Sequence, residues 1–144
     1  MFERCLYFNG LYFNVNALTR KVNRIWEEAF KEFGLSPAHA YLLRLVLADP
    51  GISHKEIAAE LRLDKSTVTR FVDALQEKGY LKRSRTGAKD SRELRVVPTS
   101  KAQRLQPALE KTSDDLYRKM CGNLGEDEMK SLVAHLREVA QTLS

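Results

Sequence analysis

Residues 63–79 constrain the fold most, because they carry signals for both ends of a short helix. Asp64 favours a helix start, since its carboxylate accepts hydrogen bonds from the free backbone N–H groups of a first turn. Gly79 favours the end, because glycine readily adopts the left-handed conformation that terminates helices. Between them, apolar side chains recur every three or four residues, at Val68, Phe71, Val72 and Leu75. This spacing predicts a helix with one face packed in a core.

The other face of this predicted helix carries hydroxyl groups and charges, at Lys65, Ser66, Thr69, Arg70 and Asp73. Donors and cations on the first two turns suit the base edges and phosphates of DNA. A merely solvated helix more often pairs Glu with Lys four residues apart, whereas the acids Asp73 and Glu77 come late here. Taken alone, the segment fits an ordinary amphipathic surface helix equally well, so its neighbours decide.

A second capped helix is predicted immediately upstream. Ser53 and Glu56 form a capping-box pattern, in which each side chain satisfies the backbone N–H of the other residue. Residues 57–61 supply a two-turn apolar stripe, and only residues 62 and 63 separate it from the Asp64 cap. Two short capped helices with so tight a connection predict a helix-turn-helix, although the glycine often found in its turn is absent.

Two segments of alternating polarity follow, residues 80–84 and 92–97, separated by the turn-rich stretch 85–91. They predict a β-hairpin with a long tip. Its cations are Lys82, Arg83, Arg85, Lys89, Arg92 and Arg95, against the acids Asp90 and Glu93. This excess of positive charge favours contact with phosphates or a DNA minor groove, and a solvated hairpin is the alternative.

Helix, helix and basic hairpin in this order predict a winged helix-turn-helix, and the chain resembles the MarR family of bacterial transcription regulators. The resemblance runs through residues 34–36, 55–58, 63–70, 75–81 and 90–92. It implies a mainly α fold with a small β-hairpin wing and with dimerisation helices at both ends. The domains it implies are an N-terminal dimerisation helix at 1–35, a winged helix-turn-helix lobe at 36–98 and C-terminal dimerisation helices at 99–144.

The resemblance also implies a function, that of a dimeric regulator, expected to be a repressor, on a pseudo-palindromic operator in double-stranded DNA. In the family the wing carries Asp-x-Arg, so Arg92 is expected to reach the minor groove and Asp90 to orient it. Residue types and resemblance together give these DNA-binding candidates: Lys55, Lys65, Ser66, Thr67, Thr69, Arg70, Arg83, Arg85, Lys89, Asp90 and Arg92. The hydroxyl side chains among them serve phosphates or bases equally well.

Apolar stripes also mark the helices outside the predicted lobe, within residues 15–33, 102–116 and 129–143. Such stripes often belong to an intrachain core. A two-helix arm on a small winged domain cannot bury both of its stripes on itself, however. The terminal helices are therefore expected to form a homodimer, as they do in the family, with two recognition helices about 34 Å apart.

Control of binding is predicted from the resemblance, because the family commonly responds to small aromatic ligands or to oxidants. Tyr12, Trp26, His39 and Tyr41 are candidates for binding a small aromatic effector, although aromatic residues at helical spacing more often belong to a core. Cys5 is a candidate redox site, since a neighbouring cation favours the reactive thiolate. Its position does not match the cysteine of the peroxide-sensing branch, so an inert thiol is the alternative.

Composition agrees with an anionic partner but does not establish one. The 144 residues include 24 Lys and Arg against 19 Asp and Glu, for a net charge of +5 and a pI near 9.3. Many basic proteins bind no nucleic acid, so clustering in the wing is the stronger argument. The chain has no apolar run of bilayer-spanning length and does not start with a secretory-signal pattern, so we expect a cytoplasmic protein without a membrane partner.

Enzymatic and metal-binding classes are not predicted. The two cysteines and three histidines are scattered, which favours neither a zinc site nor a disulfide framework, and no cofactor is expected. No nucleophile and base stand in a recognisable catalytic frame. Two alternatives to a DNA-binding regulator remain: a winged-helix module that binds an acidic protein, and a thiol-based enzyme or peroxide scavenger. A thiol-based redox-responsive regulator that uses Cys5 is the alternative to release by a small ligand.

Overall fold

Helices with a small sheet make up the structure, a computed structural model that describes residues 2–85 and 93–143, with side chains from residue 10 onward. The helices are α1 (Phe2–Phe30), α2 (Pro37–Ala48), α3 (His54–Leu61), α4 (Lys65–Glu77), α5 (Ser100–Cys121) and α6 (Glu126–Thr142). The strands are β1 (Ile52–Ser53), β2 (Leu81–Ser84) and β3 (Arg95–Pro98), and a 3-10 turn, Lys31–Phe33, follows α1. The predicted fold class, mainly α with a winged helix-turn-helix, is confirmed.

Helix boundaries follow from local hydrogen bonds that the sequence signals. Ser53 and Glu56 form the predicted capping box before α3, with Glu56 N donating to Ser53 Oγ over 3.1 Å and Ser53 N to Glu56 Oε2 over 2.8 Å. Ahead of α4, the Asp64 carboxylate accepts from Thr67 N at 2.7 Å. Gly34, with φ of 65°, ends the 3-10 turn in the left-handed conformation. The predicted caps at Ser53 and Asp64 are therefore confirmed, because capping depends on residues within one turn of each other.

The sheet is antiparallel and has the strand order β1-β3-β2. Strands β2 and β3 form the predicted hairpin, with Leu81 opposite Pro98 and Arg83 opposite Val96. The sequence did not predict β1, which adds Ile52 to the far side of β3, also opposite Val96. A strand of two residues is too short to show an alternating pattern, so its pairing depends on the position of β3 rather than on its own sequence.

The chain divides into two compact units, residues 1–109 and 110–144. The first contains the helix-turn-helix, the sheet and a core to which α2 contributes Leu42, Leu43 and Val46. Helices α3 and α4 add the fully buried Ile57, Val68, Val72 and Leu75. Each such aliphatic side chain stabilises the fold by about 1.5 to 3 kcal/mol. This core positions α4 within the first unit.

The second unit comprises the end of α5 and all of α6. Leu116 of this unit is buried, whereas α6 buries none of its residues. Four large apolar residues on α6 are exposed, Leu132 by 38%, Val133 by 41%, Leu136 by 42% and Val139 by 40%, and Leu143, just beyond the helix end, is exposed by 77%. In residues 2–85 and 93–143, no helix combines the length and the apolar character that crossing a membrane requires.

Candidate nucleic-acid interface

The turn between α3 and α4 is built around Arg62. Its φ of 54° lies in the left-handed region, the one such value for a non-glycine residue in the part of the chain that the structure describes. A non-glycine residue adopts this conformation at a cost of about 1 kcal/mol. Arg62 adopts it here, at a turn that lacks the glycine common in such turns. The next residue, Leu63, donates its backbone N–H to Ala58 O over 3.0 Å. Only three residues, 62–64, therefore separate α3 from α4.

The exposed face of α4 carries the predicted hydroxyl groups and cations, and several of them are already hydrogen-bonded. Ser66 Oγ donates to Asp64 Oδ1 over 3.0 Å, and Thr69 Oγ1 donates to Lys65 O over 2.9 Å. A hydroxyl that donates its hydrogen within its own helix still accepts through its lone pairs. In this arrangement Ser66 and Thr69 suit the amino groups of base edges better than phosphates, because phosphates only accept.

Cations stand beside these hydroxyl groups. Lys65 and Arg70 are exposed on α4, and Arg70 Nη2 donates to Thr67 Oγ1 over 3.4 Å. Lys55, in the first turn of α3, and Arg85, directly after β2, are also exposed. The described part of the candidate interface thus presents hydroxyl acceptors on α4 with positive charge on α3, α4 and the start of the wing.

The Asp64 carboxylate is part of this surface but is used structurally. Hydrogen bonds from the hydroxyl and the backbone N–H of Thr67, and then from Ser66, lower the pKa of Asp64 below its ordinary value of 3.8. The carboxylate therefore stays ionised at neutral pH. It holds the first turn of α4 in place rather than offering an acceptor to a ligand.

Arg83 differs from the other candidate cations, because its guanidinium is hydrogen-bonded to side chains of α4. Nη1 donates to Gln76 Oε1 over 2.6 Å, and Nη2 donates to Asp73 Oδ1 over 2.5 Å. Sequence reasoning groups it with the exposed wing cations. The alternation of β2 is a signal that separates it from them: Arg83 lies two residues after the buried Leu81, so both side chains point to the same face of the strand.

The three remaining wing candidates, Lys89, Asp90 and Arg92, lie outside the described residues. Arg95, on β3, is one of the predicted wing cations but has structural contacts. It donates to Gly51 O over 3.1 Å and to Glu93 over 3.2 Å, and its guanidinium lies 3.6 Å from Glu56. It therefore joins β3 to the N-terminal turn of α3.

Sequence reasoning missed His54, the first residue of α3. Its Nε2 is buried without a hydrogen-bond partner, and burial lowers the pKa of the imidazole, with Arg83 lowering it further and Asp73 opposing. No local pattern signalled this environment, since it depends on the position of β2.

The four aromatic candidates for effector binding lie in different surroundings. Tyr12 is 66% exposed and packs edge-on against Phe13, Trp26 is half-buried, and Tyr41 is 48% exposed. His39 packs its ring edge-on against Phe71 of α4, with 4.7 Å between ring centroids, and burial followed by the charge of Lys78 lowers its pKa.

A cleft of about 580 Å³ lies elsewhere in the first unit and includes none of these four aromatic residues. Its lining is Arg24, Glu27, Glu28, Lys31, Gly34, Leu35, Ser36 and Pro37. The redox candidate Cys5 lies in α1 at a position where the structure describes backbone only, and Cys121 is a free, partly exposed thiol. Among the described residues, no group of three His, Cys, Asp or Glu side chains is placed to hold a metal ion.

Comparison with known proteins gives one consistent result. A model described as the MarR family matches residues 33–93. The HTH-type transcriptional regulator MgrA of Staphylococcus aureus is 28% identical over 123 residues, which cover 85% of this chain and 82% of MgrA.

Two solved structures share the fold at lower identity. The S. aureus MepR–DNA complex superposes with a TM-score of 0.80 at 18% identity, covering 92% of this chain and 96% of MepR. PcaV from Streptomyces coelicolor, solved in complex with its natural ligand, has a TM-score of 0.77 at 23% identity, covering 90% of this chain and 91% of PcaV.

Proposed function

We propose that this chain, which belongs to the MarR family of winged-helix transcription regulators, acts as a homodimeric repressor. Each protomer inserts α4 into a DNA major groove and places its wing at the adjacent minor groove. The two protomers together read a pseudo-palindromic operator, and a small aromatic ligand releases them. The protein acts as a regulator, not as an enzyme.

The observation that carries the proposal is the composition and pre-orientation of the exposed face of α4. Thr69 donates a hydrogen bond to Lys65 O of its own helix and Ser66 donates one to the capping carboxylate of Asp64, which leaves their oxygens as acceptors at fixed positions. Arg70 and Lys65 add positive charge on the same turns. Acceptors with adjacent cations match base edges flanked by phosphates, and α4 is the second helix of a helix-turn-helix, which enters the groove in such proteins.

Homodimerisation is supported by apolar side chains that lie exposed on α1 and α6. Helix α1 exposes Leu11, Val15 and Leu18 by 50%, 40% and 43%, and α6 exposes Leu132 and Leu136. Apolar surface of this extent, repeated at helical spacing, is typical of protein–protein interfaces. We propose that residues 1–35 and 99–144 form the dimer and that residues 36–98 form the DNA-binding lobe.

Release by a small aromatic ligand has the least support within this proposal. PcaV shares the fold and was solved with its natural ligand bound. Tyr12, Trp26, His39 and Tyr41 stay our candidates for such a site. The alternative of a protein-binding module is not favoured, since a protein with this fold was solved on DNA. A redox response through Cys5 is not favoured either, because the position of Cys5 does not match that of the cysteine in the peroxide-sensing branch.

Salt dependence of DNA binding tests the role of α4. A duplex is first selected by the wild-type protein from a pool with about 20 randomised base pairs, enough for two half-sites about one helical turn apart. Binding to this duplex is expected to weaken linearly with the logarithm of salt concentration, because phosphate contacts release counterions. For Arg70→Ala, we expect weaker binding and a slope smaller by about 0.9 for each phosphate that the variant no longer neutralises.

Arg20→Ala serves as the control, since it removes an exposed arginine that lies outside the proposed DNA-binding lobe and, two residues from Leu18, on the side of α1 opposite the apolar face proposed for the dimer. It should leave the affinity and the slope unchanged. Failure of the wild-type protein to select any duplex would refute the proposed function. Selection of a duplex that Arg70→Ala binds as tightly as wild type, with the same slope, would remove Arg70 from the interface.

A further inference from the structure

We infer that Arg83 is a positioning residue, which fixes α4 against β2 so that the recognition helix and the base of the wing meet DNA as one rigid unit. This inference rests on the proposed function and changes the role expected for Arg83 from the sequence. Arg83 acts through α4 instead of contacting a phosphate.

The contacts of Arg83 extend along more than one turn of α4. Nη1 donates to Gln76 Oε1 at 2.6 Å, and Nη2 donates to Asp73 Oδ1 at 2.5 Å and to Thr69 O at 3.4 Å. Positions 69, 73 and 76 are four and three residues apart, so they lie on one face of the helix. The planar guanidinium is a rigid fork, and three acceptors in a row fix both the position and the rotation of α4 relative to β2.

The low exposure of the Arg83 side chain distinguishes it from a cation that is free to contact a ligand. Its side chain is 20% exposed, against 60% for the Asp73 carboxylate. Lys55, Lys65 and Arg70, in contrast, are exposed residues. Arg83 lies on the inner face of its strand together with Leu81, where a phosphate could be reached only by turning the side chain away from α4.

Charge compensation is a second reason why Arg83 and Asp73 stay paired. Asp73 lies on α4, the helix proposed to enter the groove, and an uncompensated carboxylate there would repel phosphates. Because Arg83 bonds to it, the two side chains are neutral as a pair. Moving Arg83 to a phosphate would add one favourable contact but leave the negative charge of Asp73 beside the duplex.

A counterintuitive result follows for Asp73→Ala. Removing an acid from a DNA-binding helix ordinarily strengthens binding, yet this variant should bind the selected duplex about tenfold more weakly, the order expected for the removal of one charged hydrogen bond. Glu77→Ala is the matched control, because it removes an exposed acid from the last turn of the same helix. It should bind as tightly as wild type or slightly more tightly.

Variants of Arg83 separate positioning from phosphate contact. Arg83→Lys keeps the charge but removes the fork, so a positioning role predicts about tenfold weaker binding, whereas a phosphate contact predicts nearly wild-type affinity. The double variant Arg83→Ala/Asp73→Ala removes one charge of each sign. A positioning role predicts weaker binding with an unchanged salt slope, and a phosphate contact predicts a slope smaller by about 0.9 for each phosphate no longer neutralised.

All variants are compared at one temperature, chosen well below the lowest melting temperature of the set measured without DNA, so that a loss of overall stability does not enter the affinity. Asp73→Ala binding as tightly as Glu77→Ala, or a smaller slope for the double variant, would overturn the inference. A wild-type protein that selects no duplex would instead refute the proposed function. In that case hydrogen exchange of α4 amides in free Arg83→Lys still tests the positioning role, which predicts faster exchange at residues 69–76 and is overturned by exchange as slow as in wild type.

Discussion

Ser53 illustrates how far the helix-turn-helix depends on single hydrogen bonds. It is 1% exposed, and its hydroxyl accepts from the backbone N–H of Glu56 while its own N–H donates to the Glu56 carboxylate. It also lies on β1, which pairs with β3. The same residue therefore starts α3 and joins this helix to the sheet that carries the wing.

Ser53→Ala should lower the free energy of unfolding by about 1 to 2 kcal/mol, because it leaves the Glu56 N–H without its capping partner. Urea denaturation at a fixed protein concentration measures the change, since the stability of a dimer depends on concentration. Ser131→Ala, at an exposed position on α6, should change the stability by less than about 0.5 kcal/mol. Equal stability of Ser53→Ala and wild type would contradict the structural role of the capping box.

Residues whose roles are local could be predicted from the sequence, and those whose roles depend on distant elements could not. Ser53, Asp64 and Gly79 are recognisable as helix signals because their partners lie within a few positions. The sequence assigns Arg83 to DNA because its partners Asp73 and Gln76 belong to another element, and the orientation of that element is set by the fold. The positions 89, 90 and 92, expected at the wing, lie outside the described residues and stay predictions.

At the level of elements, α4 is held on its sides by polar contacts as well as by its apolar stripe. His39 of α2 packs against Phe71, and His54 of α3 lies close enough to Arg83 and Asp73 for their charges to act on it. Both imidazoles are partly buried, and burial is the main cause that lowers the pKa of each below 6.5. The packing around α4 therefore favours neutral histidines.

The pH dependence of stability follows from these lowered pKa values. Between the unfolded pKa of about 6.5 and the lower folded pKa, the unfolded chain binds more protons, so stability falls as the pH falls through this window. Protonation of carboxylates whose pKa is lowered, such as Glu56 and Asp64, changes the stability only below about pH 4.5. The urea midpoint should therefore be lower at pH 5.5 than at pH 7.5, and less so in His54→Gln.

A urea midpoint that stays constant or rises as the pH falls from 7.5 to 5.5 would contradict the burial of His39 and His54.

At the same scale, sequence reasoning predicted both helices of the helix-turn-helix and the hairpin, since each has its own periodicity. It missed β1, whose two residues carry no period, and it gave no indication that Arg83 and Arg95 join the two wing strands to α4 and α3.

For the whole molecule, the two units differ in what they bury. The first unit encloses a core of aliphatic residues from α2, α3 and α4, whereas α6 of the second buries none of its residues. The sequence predicted the apolar stripe of α6 through its spacing, but spacing cannot say whether such a stripe is covered by its own chain. Its exposure supports the homodimer that we propose, in which Leu132 and Leu136 of two protomers are covered together.

A hydroxyl-radical footprint on the selected duplex tests the central claim most directly, that two copies of α4 read DNA from one dimer. The wild-type protein and the control Ser131→Glu should each protect two patches whose centres lie about 10 base pairs apart, one for each protomer. Leu132→Glu/Leu136→Glu places charges in the proposed interface, so at the same concentration its footprint should disappear. A single protected patch for the wild-type protein, or an unchanged two-patch footprint for the double variant, would contradict the account.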